Sequence, residues 1–407
     1  MKEWKSYKLG EISTIQTGPF GSQLHQSDYV ESGVPCIMPT NIGRMLDFQV
    51  AGIAHISEGD ALKLSRHIVH EGDIVYSRRG DIEKCAYVSQ EQDGWFCGTG
   101  CLKITINSNL AVPKFVAYYL STDEIKSWIV GNAVGTTMLN LNTSVLADVP
   151  LSLPSIQMQK RCVQILDSIE NKIALNNRIN HNLEEQAQAL YKSWFVDFEP
   201  FKDGRFVDSE IGMIPEGWKV VHFLDIAKLC GGGTPKTDID AFWDGPIPFF
   251  TPKDVKASPF CLKTEKTITE NGLKHCNSQL YDVYTTFITA RGTVGKLCMA
   301  GAPMAMNQTN YAICSKSGIN AITIYLMCKQ IVANLKNKAN GAVFDAITTR
   351  DFEGESIIAA PDSIMTRFSR IVRPIFDQIL HNEKQTLTLM DQRDSVLPRL
   401  MSGGIGL

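Results

Sequence analysis

Between Gln159 and Phe195 the chain has neither proline nor glycine, and its apolar residues fall in steps of four and three. Cys162, Leu166, Ile169, Ile173, Asn176, Asn180, Leu183, Ala187, Leu190 and Trp194 form one continuous heptad stripe with a polar pair at its centre. A helix of this length spans roughly 55 Å at ~1.5 Å per residue, too long for an ordinary globular helix. Shifted by 206 residues, the stripe recurs as Phe368, Val372, Ile375, Ile379, Asn382, Thr386, Leu389, Arg393, Val396 and Leu400. Two helices carrying the same stripe bury it most simply against each other, with Asn176 and Asn382 fixing the register. The alternative is that each packs on its own domain. Arg393 replaces Ala187 in the second stripe, and Pro374 predicts a kink or a late start there.

The period extends beyond the helices. Trp4-Lys5 matches Trp218-Lys219 at an offset of 214, and Val34 to Pro39 matches Ile247 to Pro252 at 213. Arg79-Gly80-Asp81-Ile82 matches Arg291-Gly292-Thr293-Val294 at 212, and Gly135 with Leu141 matches Gly341 with Ile347 at 206. The offset falls in steps, as in a duplication that has lost loop residues. The unit is too large for a solenoid repeat, so the chain is two copies of a domain, each followed by a long helix.

Each copy reads as mixed α/β with short strands. Asp73–Ser77, Cys101–Ile106, Phe287–Thr289 and Tyr311–Ile313 are strand-like runs beside turns. Pro113–Ile129 and Ala321–Lys338 read as helices, the first opened by proline. Pro150 and Pro154 mark a loop before the first long helix, Phe352–Pro361 bridges to the second, and Ser402-Gly403-Gly404 stops it.

With 44% hydrophobic and 20% charged residues, the chain can form sizeable cores. Its beginning, MKEWKSYKLGEI, lacks the apolar region of a signal peptide, and no window approaches roughly eighteen apolar residues. The 11 cysteines are scattered without zinc spacing and read as free thiols of a cytoplasmic protein. A net charge of -3 argues mildly against nucleic acid, although a local basic face can coexist with an acidic total.

Catalytic motifs are weak. Phe96-Cys97-Gly98-Thr99-Gly100 has the shape of a methyl-donor loop, but it precedes a strand and fits a turn between strands. Gly292 to Lys296 lacks the first glycine and the hydroxyl of a phosphate loop. No nucleophile elbow or metal cluster appears, which predicts no catalytic, cofactor or metal residue.

Polar loops at equivalent places in both copies remain. In the first copy the candidates are Ser22, Gln23, Asn41, Arg78, Arg79 and Thr99. In the second they are Thr234, Lys236, Thr251, Lys253, Arg291, Lys296, Asn307 and Gln308. Arginine bridges guanine O6 and N7, and asparagine or glutamine bridges adenine N6 and N7. Lysine, threonine and backbone amides suit phosphates. Each loop can equally be a structural turn, and Arg79 and Arg291 can close salt bridges within the fold.

Trp4 to Ile12, Thr17-Gly18-Pro19-Phe20-Gly21-Ser22, Leu190-Tyr191-Lys192-Ser193-Trp194-Phe195-Val196-Asp197-Phe198 and Ile214-Pro215-Glu216-Gly217-Trp218 together resemble the specificity subunit of Type I restriction-modification systems. So do Gly231 to Pro235, Ala290 to Lys296, Asn307-Gln308 and Leu397 to Gly403, and the resemblance covers essentially the whole chain. It implies an α+β protein: target recognition domains at 1–155 and 214–362, long helices at 156–197 and 363–402 forming an antiparallel coiled coil, and a junction at 198–213. It further implies a non-catalytic subunit. Each domain reads half of a bipartite double-stranded DNA site with an unspecified spacer. Two modification subunits dock on the long helices and methylate adenine N6, and restriction subunits translocate and cleave. S-adenosylmethionine, ATP and Mg2+ then belong to those partners. Rods of ~50 Å exceed one DNA turn of about 34 Å, so their length sets the spacer. The competing readings are a stand-alone DNA methyltransferase or nuclease, and a scaffold that binds no DNA.

Overall fold

A computed structural model of the chain describes residues 4–43, 45–133, 139–291, 293–316, 318–338 and 346–405. The repeat markers Gly135, Gly292 and Gly341 lie outside them. The chain forms two compact units, Met1–Asn171 with Leu389–Leu407, and Lys172–Thr388.

The first unit runs β1 (Lys5–Lys8), α1 (Leu9–Ile12), β2 (Ser13–Thr17), β3 (Tyr29–Val30), β4 (Val34–Ile37), β5 (Ala54–Ile56), α2 (Glu58–Lys63), β6 (Ile74–Ser77), β7 (Cys85–Tyr87), β8 (Phe96–Cys97), β9 (Cys101–Ile106), α3 (Pro113–Leu120), α4 (Asp123–Asn132), α5 (Thr143–Ala147), β10 (Pro150–Leu153) and the start of α6 (Ile156–Phe195). One sheet has the order β2-β9-β6-β7 and the other β3-β5-β4-β8. Strand β6 is buried along its whole length, as befits a strand covered on both faces.

The second unit contains the rest of α6, then β11 (Phe206–Val207), β12 (Ile214–Pro215), β13 (Lys219–His222), α7 (Phe223–Ile226), β14 (Ala227–Gly231), β15 (Trp243–Phe250), β16 (Phe260–Cys261), β17 (Lys266–Ile268), α8 (Glu270–Lys274), β18 (Thr286–Thr289), β19 (Leu297–Ala300), β20 (Ala305–Met306), β21 (Asn310–Ser315), α9 (Ala321–Lys338), α10 (Thr349–Glu353), β22 (Ser356–Ala359) and most of α11 (Asp362–Met401). Its larger sheets are β14-β21-β18-β19-β16 and β17-β15-β20, beside the two-stranded pairs β11-β12 and β13-β22. The duplication is visible in the pairing. Strand β2 pairs with β9 as β14 does with β21, and the parallel pair β4·β8 recurs as β15·β20.

Three expectations need correction. Residues 150–153 are not a loop but strand β10, antiparallel to β1, with Lys5 opposite Leu153. The same happens at the corresponding place in the second unit, where β22 pairs with β13. A proline is tolerated as the first residue of such a two-stranded edge because it costs no ladder bond there. Second, the helix expected over 113–129 breaks at Ser121-Thr122, whose hydroxyls take the carbonyls of Tyr118 and Tyr119, each at 2.8 Å. Third, α11 does not start late at Pro374. It begins at Asp362 and runs through Pro374 and Pro398. Both prolines are exposed, so the carbonyls they orphan one turn earlier can bond water.

The helices α6 and α11 pack antiparallel within each unit. In the first, Cys162 and Leu166 share a core with Leu397, Leu400 and Met401, and Arg393 is buried with Nη1 3.0 Å from Glu170 Oε1. In the second, Ile379, Val372 and Phe368 line the seam, with Leu183, Leu190 and Ile375 partly buried beside them. Ile173 and Asn176 are buried, and Ile169, Leu389 and Val396 are half-buried. The polar centre is a hydrogen-bonded set. Asn382 Nδ2 donates to Asn180 Oδ1 at 2.8 Å, and Asn176 Nδ2 donates to Gln385 Oε1 at 2.9 Å and Thr386 Oγ1 at 3.2 Å. At the end of α6, Tyr191, Trp194 and Phe195 surround Phe368, with Phe195 at 4.8 Å between ring centroids. Phe198 and Phe201 fold back on Trp218, at 5.6 and 5.0 Å, so the junction is pinned by aromatic contacts.

Candidate functional site

In the first unit the polar loops meet at a backbone crossing. After β2 the chain passes at Gly18 directly against the β8–β9 turn, and a Cβ on Gly18 would lie 2.0 Å from the Gly98 carbonyl oxygen. The Gly18 amide donates to Cys101 O at 2.9 Å and the Gly98 amide to Ile37 O at 2.9 Å. Only glycine permits this approach. The turn ends at Gly100, whose φ of +86° also favours glycine. The five-residue pattern that resembled a cofactor loop is therefore a turn between strands.

Around this crossing the structure assembles some candidates and occupies others. Thr99 Oγ1 donates to Pro19 O at 3.1 Å, and the Arg78 guanidinium lies 5.9 Å from the centre of the exposed Phe20 ring. Arg78 Nε donates to Asn140 Oδ1 at 3.3 Å. Ser22 is exposed in the same turn. Asn41 is buried, with Oδ1 accepting from the Met38 amide at 2.9 Å and Nδ2 donating to Gln49 O at 3.0 Å, so its amide holds a turn. Arg79 is exposed, and among the described residues its side chain closes no ion pair.

Three residues that sequence reasoning missed, Arg66, His67 and Lys103, complete this surface. Gln16 and Lys103 are cross-strand partners on β2 and β9, so they share a face. Above them sits the turn Ser65–His67. Lys103 Nζ donates to the carbonyls of Arg66 at 2.8 Å and Ile68 at 2.9 Å. His67 is buried, its Nδ1 3.3 Å from the Gln16 side-chain amide and its Nε2 accepting from Arg66 Nε at 3.0 Å. Arg66 Nη2 donates to Gln23 Oε1 at 3.4 Å, the oxygen that also accepts the Phe20 amide. Burial, with Arg66 and Lys103 close by, pushes the His67 pKa down to about 4. No local motif announces this cluster, because strand register brings Gln16 beside Lys103 and the fold brings the Arg66-His67 turn and Gln23 onto them.

The second unit repeats the crossing with different residues. A Cβ on Gly232 would lie 2.2 Å from Asn307 O, the Gly233 amide donates to Met306 O at 3.1 Å, and the Asn307 amide donates to Phe250 O at 3.1 Å. Thr234 Oγ1 donates to Gln308 Oε1 across the crossing. Asn307 Oδ1 accepts from Thr309 and from Asn310 Nδ2 at 2.7 Å, so it organises the turn, whereas Gln308 is exposed. The Ala290 amide donates to Thr309 O at 3.0 Å, which brings exposed Arg291 to the same edge, and Thr289 pairs with the backbone of exposed Lys296. Among the described residues Arg291 closes no ion pair. Thr251 is spent on Asp254, whose Oδ2 accepts from its amide and hydroxyl at 2.7 Å. Lys253 is exposed, 3.9 Å from Glu265, and Lys236 is exposed with its carbonyl accepting the Trp243 indole N–H at 3.1 Å.

Catalytic chemistry has little to work with here. Burial pushes the Cys36 thiol up to about 12 and raises Cys97 and Cys101 as well, so these sulfurs stay protonated. Among the described residues no group of three or more His, Cys, Asp or Glu side chains could hold a metal, and no helix is long and apolar enough to cross a membrane.

Residues 1–185 and 215–389 match the family model described as the Type I restriction modification DNA specificity domain. The chain is 27% identical over 414 residues to the Type I restriction enzyme MjaIX specificity subunit of Methanocaldococcus jannaschii, covering 99% of this chain and 93% of that protein. It is 23% identical over 468 residues to the Type I restriction enzyme HindI specificity subunit of Haemophilus influenzae, covering both chains completely at 100%. The fold is similar to the crystal structure of a Type I restriction-modification S subunit from M. genitalium, with a TM-score of 0.60 at 11% identity, covering 98% of this chain and 96% of that one.

Proposed function

The chain belongs to the family of Type I restriction-modification specificity subunits, and we propose that each of its two units reads one block of a bipartite duplex DNA target through the loops around its glycine crossing. Its role is DNA recognition on behalf of partner methylation and restriction enzymes, and it is not itself the enzyme. The observation that carries the two-block reading is the recurrence of one backbone device, Gly18 on Gly98 and Gly232 on Asn307, beneath unlike polar side chains. A shared scaffold with different loop residues suits two blocks of unlike sequence.

Two modification subunits dock, in this reading, on the faces of α6 and α11 left outside their mutual seam. The target adenine leaves the stack for the partner's pocket. The overall charge of -3 is then no obstacle, since the partners supply much of the phosphate contact. The free cysteines suit the cytoplasm, where such a complex meets DNA. The decisive experiment is adenine methylation mapped in cells carrying the chain with its modification subunit, beside labelled methyl transfer by the purified chain alone. Two short blocks around an unspecified spacer, and no transfer by the chain alone, are expected. An uninterrupted methylated block, or transfer by the isolated chain, overturns the reading.

A further inference from the structure

We propose that Arg66 reads the N7/O6 edge of a guanine in the DNA block recognised by the first unit, held in its reading pose by His67 and Gln23. The inference rests on the DNA-reading role above. It starts from how the guanidinium is held. The backbone of Arg66 is tied down through its carbonyl, which accepts from Lys103. The Nε–H is spent on His67 Nε2 at 3.0 Å, and one Nη2 hydrogen on Gln23 Oε1 at 3.4 Å. A guanidinium has five N–H donors, so three remain, and with the Nη2 hydrogen beside Nε–H given to Gln23 they include the parallel pair at the outer end of the fork. That pair matches the two acceptors on the major-groove edge of guanine.

The partners are what distinguish this arginine from a structural one. Arginines that brace a fold are usually closed by a carboxylate. Both side-chain acceptors of Arg66 are neutral, and among the described residues it forms no ion pair although its neighbour Lys103 adds positive charge. His67 accepts at Nε2 as the neutral tautomer that carries its proton on Nδ1, facing the Gln16 side-chain amide, and its depressed pKa keeps the ring neutral at neutral pH. The positive charge is thus fixed in direction and left uncompensated. A phosphate can be held by the fork but also by a simple point charge such as lysine, whereas the two acceptors of a guanine edge call for the fork. The location agrees, since Gln23 belongs to the turn that carries Phe20 and Ser22.

In the second unit the turn that follows α8, as Ser65–His67 follows α2, offers no counterpart among the described residues. Its run His275-Cys276-Asn277-Ser278 lacks arginine, and the Asn277 backbone itself packs on the glycine loop, with its amide nitrogen 2.5 Å from where a Gly233 Cβ would be. The two blocks therefore meet different readers at equivalent positions.

The test uses the chain assembled with its modification subunit and duplexes carrying the methylated motif. Each guanine of either block is replaced in turn by 7-deazaguanine, and binding is compared for the unaltered chain, Arg66→Ala, Arg66→Lys and His67→Phe. One guanine in the first block should show a penalty with the unaltered chain that disappears in Arg66→Ala. That variant should bind the intact site roughly 5- to 150-fold more weakly, and Arg66→Lys should not restore it. His67→Phe should shrink the same 7-deazaguanine penalty while penalties in the second block stay unchanged, which also certifies folding. Equal weakening of Arg66→Ala on every duplex with a shallower salt dependence assigns the residue to a phosphate and overturns the inference. A first block with no guanine on either strand overturns it too. Both leave the recognition role standing. An assembled complex with no sequence preference at all would instead remove the role on which it rests.

Discussion

His67 is enclosed with two positive neighbours, so protonating it in the fold is unfavourable. Its pKa is about 4 in the folded chain, against 6.5 for an unperturbed imidazole. Between those values the unfolded chain binds the extra proton. The contribution to stability is therefore complete above pH ~6.5 and is lost as pH falls toward ~4, on the order of 3 kcal/mol in all. Thermal melts of His67→Gln should show a flatter pH dependence in that window than the unaltered chain. An unaltered slope would place the acid sensitivity elsewhere. Arg79 and Arg291 are the opposite kind of residue. Exposed and unpaired among the described residues, they do little for the fold. Alanine at either should leave stability within about 0.5 kcal/mol and weaken binding to the intact site by about 1–3 kcal/mol. Loss of folding in melts would reassign them as structural. At this scale the sequence was only partly readable. It singled out Asn41 and Asn307 by residue type; the Asn41 amide is taken up at both ends within its turn, and Asn307 Oδ1 holds another turn. Arg66 escaped notice because the groups that hold it, Gln23 and Lys103, come from distant parts of the chain.

The helices were far easier to read than the strands. A seam repeating every three and four residues is set by one element's own periodicity, and Asn176, Asn180 and Asn382 are buried where that periodicity places them. Strand β10 has only four residues and begins with proline, and its identity depends on β1 lying opposite. The polar centre of the seam carries an asymmetric cost. Asn382→Leu would strand the buried Asn180 Oδ1, which now accepts from Asn382 Nδ2 at 2.8 Å, while exposed Gln378 can turn to water. It should destabilise the second unit by about 1–3 kcal/mol. Replacing the whole set by apolar residues should be nearly neutral or stabilising while loosening the register. Denaturant melts of the single and combined variants separate the two cases, and equal losses in both would show that the set stabilises rather than specifies.

For the whole molecule, the duplication could be found by offset alone, because matching turns and helix stripes survive even where loop lengths do not. What each half reads could not, since that depends on loop side chains placed to within an ångström. If α6 and α11 act as a ruler between the two DNA blocks, deleting one heptad from each in register shortens them by about 10 Å. The spacer in the methylated motif should then contract by about three base pairs at ~3.4 Å each. Motif mapping in cells carrying the shortened chain checks this, and an unchanged spacer would end the ruler idea.

The strand pairs that close each domain bear on ancestry. Lys5 faces Leu153 and Lys219 faces Ala359, so the polypeptide enters and leaves each reading domain through neighbouring strands. A segment bounded in this way can be exchanged for a foreign one without displacing the helix that follows. On the two-block reading proposed above, genetic crossover within those short strands would hand a cell a new half-specificity in one event, with no accumulation of point changes.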